Sequence, residues 1–256
     1  MLKSKITPIK AFNDNYIWCL QNGKHAIVVD PGDPDPVISH LSKEKLKLGA
    51  VLITHHHPDH VGGNKKLVEK YGVPIYGPKM ESIPEITHKL QEGDEVSILG
   101  IEKNFTVIEL PGHTLGHIGY YGNGIIFCGD TLFSCGCGRL FEGTAKQMYE
   151  SLQKIYQLPS NTLVCCGHEY TQANVEFARH LDPTNKRLIE VQKRVKQLRG
   201  DNLPTVPVTL KQEKETNPFL RTFEKDIVEN IKKEGRLQGN KPYQIFSSMR
   251  QWKDDY

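Results

Sequence analysis

Between Leu52 and Asn64 the chain reads LITHHHPDHVGGN, and positions 55 to 60 hold four histidines and one aspartate. Imidazole and carboxylate groups are ligands for zinc, iron and manganese. A polar surface loop that happens to be rich in histidine is the plain alternative. The spacing His55-x-His57-x-Asp59-His60 argues against it, because four ligand-type side chains so close together seldom arise without a metal. Three more candidates follow: His113, Asp130 and His168. Taken singly, each histidine reads as a hydrogen-bonded structural residue and Gly129-Asp130 as a turn. Beside the cluster at 55–60 they read as ligands. Seven donors exceed the three protein ligands of a typical catalytic zinc. They suit two ions that share a bridging carboxylate and clamp a polarised substrate oxygen.

The elements that must position these donors are short. Apolar runs of strand length occur at Tyr16 to Leu20, Ala26 to Asp30, Ala50 to Ile53, Phe105 to Leu110, Ile118 to Tyr121, Ile125 to Cys128 and Leu163 to Cys166. Most are closed by Gly, Pro, Asp or a Thr-His step. Four of them run directly into the candidate ligands, and functional side chains favour such strand ends. Several of the runs lack clean alternation, which predicts sheets covered on both faces. Amphipathic spacing predicts helices at Asp35 to Lys45, Asn64 to Tyr71 and Ala145 to Tyr156. After about residue 170 the texture becomes helical: Thr171 to His180, Thr184 to Leu198, a Pro-punctuated stretch at 203–207, then Phe223 to Glu234. The chain reads as an α/β body followed by a smaller, mostly helical appendage.

Composition bounds the function classes. The 256 residues are 38% hydrophobic and 25% charged, ample for a globular core. No apolar run approaches the roughly 18 residues that span a bilayer, and Met1 to Asn15 has no apolar signal core. The expectation is a soluble, cytoplasmic protein. Six cysteines lack any Cys-x-x-Cys spacing, and buried, reduced thiols fit that compartment. The net charge of +3 is uneven: residues 184–256 carry 16 basic and 10 acidic side chains, a balance of +6. No aromatic-interleaved basic motif accompanies it, so a nucleic-acid partner is not expected.

Thr54-His55-His56-His57-Pro58-Asp59-His60 resembles the T-H-x-H-x-D-H signature of the metallo-β-lactamase superfamily. The later markers Gly112-His113, Gly129-Asp130 and Gly167-His168 appear in that family's order. The resemblance implies an α/β fold, a four-layer αβ/βα sandwich of two facing β-sheets with helices outside, followed by a C-terminal helical domain. It divides the chain into a catalytic domain at 1–170 and a substrate-binding domain at 171–256. It also implies one ion on His55, His57 and His113 and another on Asp59, His60 and His168, with Asp130 bridging.

A finer similarity is to the glyoxalase II (hydroxyacylglutathione hydrolase) family. It is carried by Gly129-Asp130-Thr131-Leu132-Phe133, Cys137-Gly138-Arg139, Glu142-Gly143-Thr144, Cys166 to Thr171, Asn217 to Arg221 and the tail Met249 to Asp254. The similarity implies hydrolysis of an S-(2-hydroxyacyl)glutathione, typically S-D-lactoylglutathione, to glutathione and D-lactate by a hydroxide held between two divalent ions. That is the second step of methylglyoxal detoxification. Zinc is the expected metal, with iron or manganese as alternatives, and Asp59 the expected catalytic residue besides its ligand role. Implied substrate contacts are Arg139, Phe141, Tyr170, Arg250 and Lys253. The family has lysine and tyrosine where this chain has Arg139 and Phe141, which keeps a charge and loses a hydroxyl. Glutathione carries two carboxylates, so fixed cations are needed; Arg250 and Lys253, three apart, would share one helix face. A monomer is expected. The main rival within the superfamily is a mono-iron persulfide dioxygenase, which the complete donor set and the cationic tail weigh against.

Overall fold

Every strand and helix expected from the sequence forms, with ends shifted by a few residues, in a computed structural model that describes residues 4–102 and 104–256. The first three residues of the N-terminal stretch read above fall outside the described residues. The chain divides into two compact units. One comprises the residues up to Glu109 with Gly116–Gly129, the other Leu110–Leu115 with Asp130–Tyr256.

The first unit contains ten strands: β1 (Lys5–Ala11), β2 (Asn15–Asn22), β3 (His25–Val29), β4 (Lys47–Leu52), β5 (Ile75–Pro78), β6 (His88–Leu90), β7 (Glu95–Val96), β8 (Phe105–Glu109), β9 (Ile118–Gly122) and β10 (Ile125–Gly129). Strands β1 to β6 lie side by side in chain order. The first three are antiparallel, and β3 to β6 are parallel. Parallel neighbours need crossovers: α1 (Pro34–Lys43) joins β3 to β4, α2 (Pro58–Val61) and α3 (Asn64–Tyr71) join β4 to β5, and residues 79–87 join β5 to β6 without a helix. Strands β7 to β10 form an antiparallel meander.

Both faces of the first sheet are buried, as the lack of alternation predicts. Ile17 and Cys19 of β2, Val28 of β3 and Val51 of β4 share a core with Val37 and Leu41 of α1 and Leu67 of α3. Trp18 and Leu20, on the opposite face of β2, are equally buried. There the second sheet meets the first: the Tyr120 hydroxyl of β9 donates to the Ile53 carbonyl at 2.8 Å. Burial pushes the Tyr120 pKa upward, so this donor stays protonated. Helix α1 begins where Asp33 accepts from the Asp35 amide beside Pro34, and α3 stops at left-handed Gly72.

The second unit contains β11 (Leu132–Phe133), β12 (Gly136–Cys137), α4 (Ala145–Tyr156), β13 (Leu163–Cys166), α5 (Thr171–Leu181), α6 (Lys186–Gly200), β14 (Val208–Thr209), α7 (Leu210–Thr216), α8 (Lys225–Lys233) and α9 (Pro242–Asp255). The helix expected from Thr184 starts two residues later, because Asn185 rather than the Asp-Pro-Thr step caps it, accepting from the Leu188 amide. Helices α2, α7 and α9 lie outside the amphipathic patterns read from the sequence, although Arg250 and Lys253 do fall on one helix, α9. The buried positions of α9, Ile245, Phe246, Met249 and Trp252, are spaced as one face, but Ser, Gln and Arg between them dilute the signal. Phe177, Phe219, Phe246 and Trp252 form the aromatic core here, with ring centroids 5.6–6.3 Å apart.

All six cysteines are buried, and among the described residues none forms a disulfide. Burial pushes Cys137 up to about 11 and Cys19 and Cys166 to about 12, so these thiols stay protonated at neutral pH. Among the described residues, no helix is long and apolar enough to cross a membrane.

Candidate metal centre

The described residues bring histidine and aspartate together in groups able to hold a metal ion. Each unit carries its own share. In the first, β4 ends at Leu52 and the chain turns through Thr54 to His60, with Pro58 opening α2. His55 and His60 are buried, and their ring centroids are 4.1 Å apart. His55 Nε2 lies 3.1 Å from His57 Nδ1, and His60 Nε2 lies 3.5 Å from Asp59 Oδ2. Close packing of this turn is possible only because Gly32 lacks a side chain. A Cβ there would sit 1.8 Å from the Asp59 carbonyl oxygen.

One buried carboxylate orients most of the turn. Asp30, at the end of β3 with φ +54°, accepts from the Thr54 amide at 2.8 Å and from Thr54 Oγ1 at 2.7 Å. The Thr54 hydroxyl has thereby spent its proton, so at 3.0 Å it accepts from His55 Nδ1. In that tautomer Nε2 of His55 carries the ring's lone pair, facing His57 Nδ1 at 3.1 Å. Asp30 Oδ2 also lies 3.2 Å from His60 Nδ1, which favours the proton on that nitrogen and the lone pair on Nε2. Asn15 donates to Asp59 Oδ2 at 2.8 Å and fixes that carboxylate. His117 stacks on His55, with centroids 4.8 Å apart.

In the second unit three separate segments converge. His113 follows β8, Asp130 follows β10 and His168 follows β13. All three are buried. His113 Nε2 and His168 Nε2 face the same oxygen, Asp130 Oδ2, at 3.4 and 3.2 Å. His113 Nδ1 lies 2.9 Å from the Arg139 carbonyl, which can only accept. In the neutral ring Nε2 therefore presents a lone pair to a carboxylate lone pair. Such an arrangement repels unless a cation stands between, and a donor set of imidazoles and carboxylates without lysine fits a divalent ion. Gly138 plays the part of Gly32: a Cβ there would lie 1.9 Å from the Asp130 carbonyl oxygen.

Aromatic rings lie against both of these histidines. Tyr170 stacks on His168, with centroids 4.7 Å apart and an interplanar angle of 2°. Phe141, 63% exposed, meets His113 edge-on at 5.1 Å. Arg250 of α9 is buried and donates to the Cys137 carbonyl at 2.9 Å and to Asp254 Oδ1 at 3.0 Å. Lys253 donates to the Ala173 carbonyl at 3.1 Å and lies over the Phe177 ring; burial and the neighbouring Arg250 lower its pKa. Arg139 keeps an exposed side chain, with Nε 3.5 Å from Asp254 Oδ1.

Sequence reasoning missed Asn15, Asp30, Thr54 and His117. Asp30 had a readable signal, an aspartate at a strand end before Pro-Gly, the same logic that selects Asp130. His117 repeats the Gly-His step that selects His113 and His168. Nothing in the sequence marks Asn15 as the partner of Asp59, nor the Arg139 backbone as the partner of His113.

The model of the metallo-beta-lactamase superfamily matches residues 12–168, and that of the hydroxyacylglutathione hydrolase C-terminus matches residues 169–256. The chain is 48% identical over 251 residues to the hydroxyacylglutathione hydrolase of Nitrosomonas eutropha, covering 98% of each chain. It is 49% identical over 254 residues to that of Vibrio campbellii, covering 98% of this chain and 99% of the relative. A solved structure of TTHA1623 in a di-iron-bound form is 26% identical, with a TM-score of 0.60, over 84% of this chain and 100% of that one. The fold is the metallo-beta-lactamase fold with a C-terminal helical region.

Proposed function

The chain belongs to the hydroxyacylglutathione hydrolase family of the metallo-beta-lactamase superfamily, and we propose that it hydrolyses S-(2-hydroxyacyl)glutathione, S-D-lactoylglutathione in particular. Water adds its oxygen to the acyl carbon, the C–S bond breaks, and the products are a 2-hydroxy acid and the glutathione thiol. The step completes methylglyoxal detoxification in the cytoplasm. The observation that carries the reading is the convergence of two imidazoles on one oxygen of Asp130, in a chain whose full-length relatives are thioester hydrolases by name.

In this reading the seven donors serve two ions, zinc first, with iron or manganese also suited to the donors. His55, His57 and His113 would hold one ion and Asp59, His60 and His168 the other, with Asp130 shared by both. Bound there, the ions supply Lewis acidity that polarises the thioester carbonyl and acidifies water. The chain's own residues do the rest. Asp59, fixed by Asn15, orients the attacking water. Asp30, through Thr54 at His55 and directly at His60, keeps both rings in the tautomer that offers Nε2. A thiolate leaves readily, so no general acid is required.

The carrier half of the substrate falls to the second unit, whose helical region at 171–256 supplies the tail cations. Tyr170 and Phe141 lie on His168 and His113, and Arg139 joins the ligand shell through its carbonyl. Arg250 and Lys253 complete the cationic set for the glutathione carboxylates.

The test mixes metal-replete protein with S-D-lactoylglutathione and follows free thiol, with glutathione persulfide and an oxygen electrode in parallel. Thiol release without oxygen uptake is the expected result. Oxygen uptake with no thiol release would contradict it.

A further inference from the structure

The cations assigned to the carrier are already answered from within the chain. Arg139 Nε, in the loop after β12, lies 3.5 Å from Asp254 Oδ1. Arg250 Nη2, on α9, donates to the same oxygen at 3.0 Å. One carboxylate oxygen thus serves two guanidinium groups from different segments. Arg250 is only 5% exposed and its Nε is buried with no hydrogen-bond partner among the described residues, so a donor remains unused beside the pair. The Asp254 side chain is 41% exposed and open to competition from solvent. It stands in the last turn of α9, where the helix dipole disfavours a negative charge. Helix stability therefore gives no reason for aspartate at this position; the two arginines do.

We propose that Asp254 is a specificity-determining residue of the carrier site, an internal carboxylate that occupies Arg139 and Arg250 until a carboxylate of the thiol carrier displaces it. The inference rests on the thioesterase reading above. A carrier with an acidic group exchanges one carboxylate for another on the same cations. A neutral carrier leaves Asp254 in place and gains nothing from either arginine. After hydrolysis, the return of Asp254 to the arginines competes with the product thiol and favours its release. Lys253, turned to the Ala173 carbonyl, lies outside this exchange.

The test substitutes Asp254→Asn, which keeps an acceptor oxygen and removes the charge. Glutathione is titrated into metal-replete wild-type and variant protein by calorimetry. The variant is expected to bind it about 3- to 10-fold more tightly, the scale of one partly exposed ion pair. For S-lactoyl-N-acetylcysteamine, whose carrier is uncharged, kcat/KM is expected to change less than about twofold. Weaker glutathione binding would overturn the proposal and make Asp254 a direct contact for the substrate ammonium. Equal binding, or the same change with both carriers, would overturn it as well. Thermal unfolding checks that the variant folds; if it does not, Asp254→Ser repeats the titration, and failure of both to fold would make Asp254 a brace and overturn the proposal. Wild-type protein that neither binds glutathione nor releases thiol defeats the thioesterase reading itself. Active wild type with an indifferent Asp254→Asn defeats only this inference.

Discussion

The two units assemble their ligands by opposite strategies. In the first, four donors lie within six residues of one turn, and one side chain, Asp30, reaches Thr54 and His60 together. In the second, three donors come from three strand ends, and the partner of His113 is the backbone carbonyl of Arg139. The loop bearing that carbonyl is itself braced from afar. Buried Glu213 accepts from Ser134 and the Cys135 amide, and Asn217 donates to the Phe133 and Gly136 carbonyls. The contrast teaches where each half is vulnerable. A contiguous set depends on a single replaceable carboxylate, whereas a dispersed set depends on the scaffold of a hairpin.

The largest expected effect breaks that contrast at its strongest point. Asp30→Asn removes the charge and one of the two acceptor oxygens and is expected to weaken metal binding about 10- to 100-fold. Competition with a chromophoric chelator should show the loss at the ions of both His55 and His60. Arg139→Ala keeps the carbonyl that orients His113 and is expected to leave metal affinity within about twofold. Equal losses in the two variants would erase the distinction between side-chain and backbone anchoring.

A smaller effect sharpens the second half. Glu213 is fully buried, and desolvation raises its pKa above the ordinary carboxylate value of 4.5. A raised folded-state pKa gives stability that is present below the unfolded pKa and lost as pH rises through the folded one. The stability advantage of wild type over Glu213→Gln should therefore shrink as pH climbs from 4 upward. Urea unfolding across that range measures it; an advantage that grows with pH contradicts the assignment.

The same contrast explains how much of the molecule was legible in the sequence. His55, His57, Asp59 and His60 announce themselves because their spacing is local. His113, Asp130 and His168 gain meaning only from that cluster and from the shared habit of following an apolar strand. Sheets buried on both faces leave runs such as Tyr16 to Leu20, which are easy to read. Helix α9 is harder, since its apolar face is interleaved with Gln, Ser and Arg. The residues that orient ligands were largely silent: Asn15 and Thr54 are unremarkable in composition, and a backbone carbonyl has no sequence signature. Asp254 was visible as part of the tail, but its service to two arginines depends on a fold that brings residue 139 beside α9.

The proposed centre takes two ions that share Asp130. Elemental analysis of purified, metal-replete protein, wild type beside Asp130→Ala, tests it most directly. Two ions per wild-type chain, with both weakened by Asp130→Ala, is the expected result. One ion per chain, or two that persist undiminished without the Asp130 carboxylate, would contradict it.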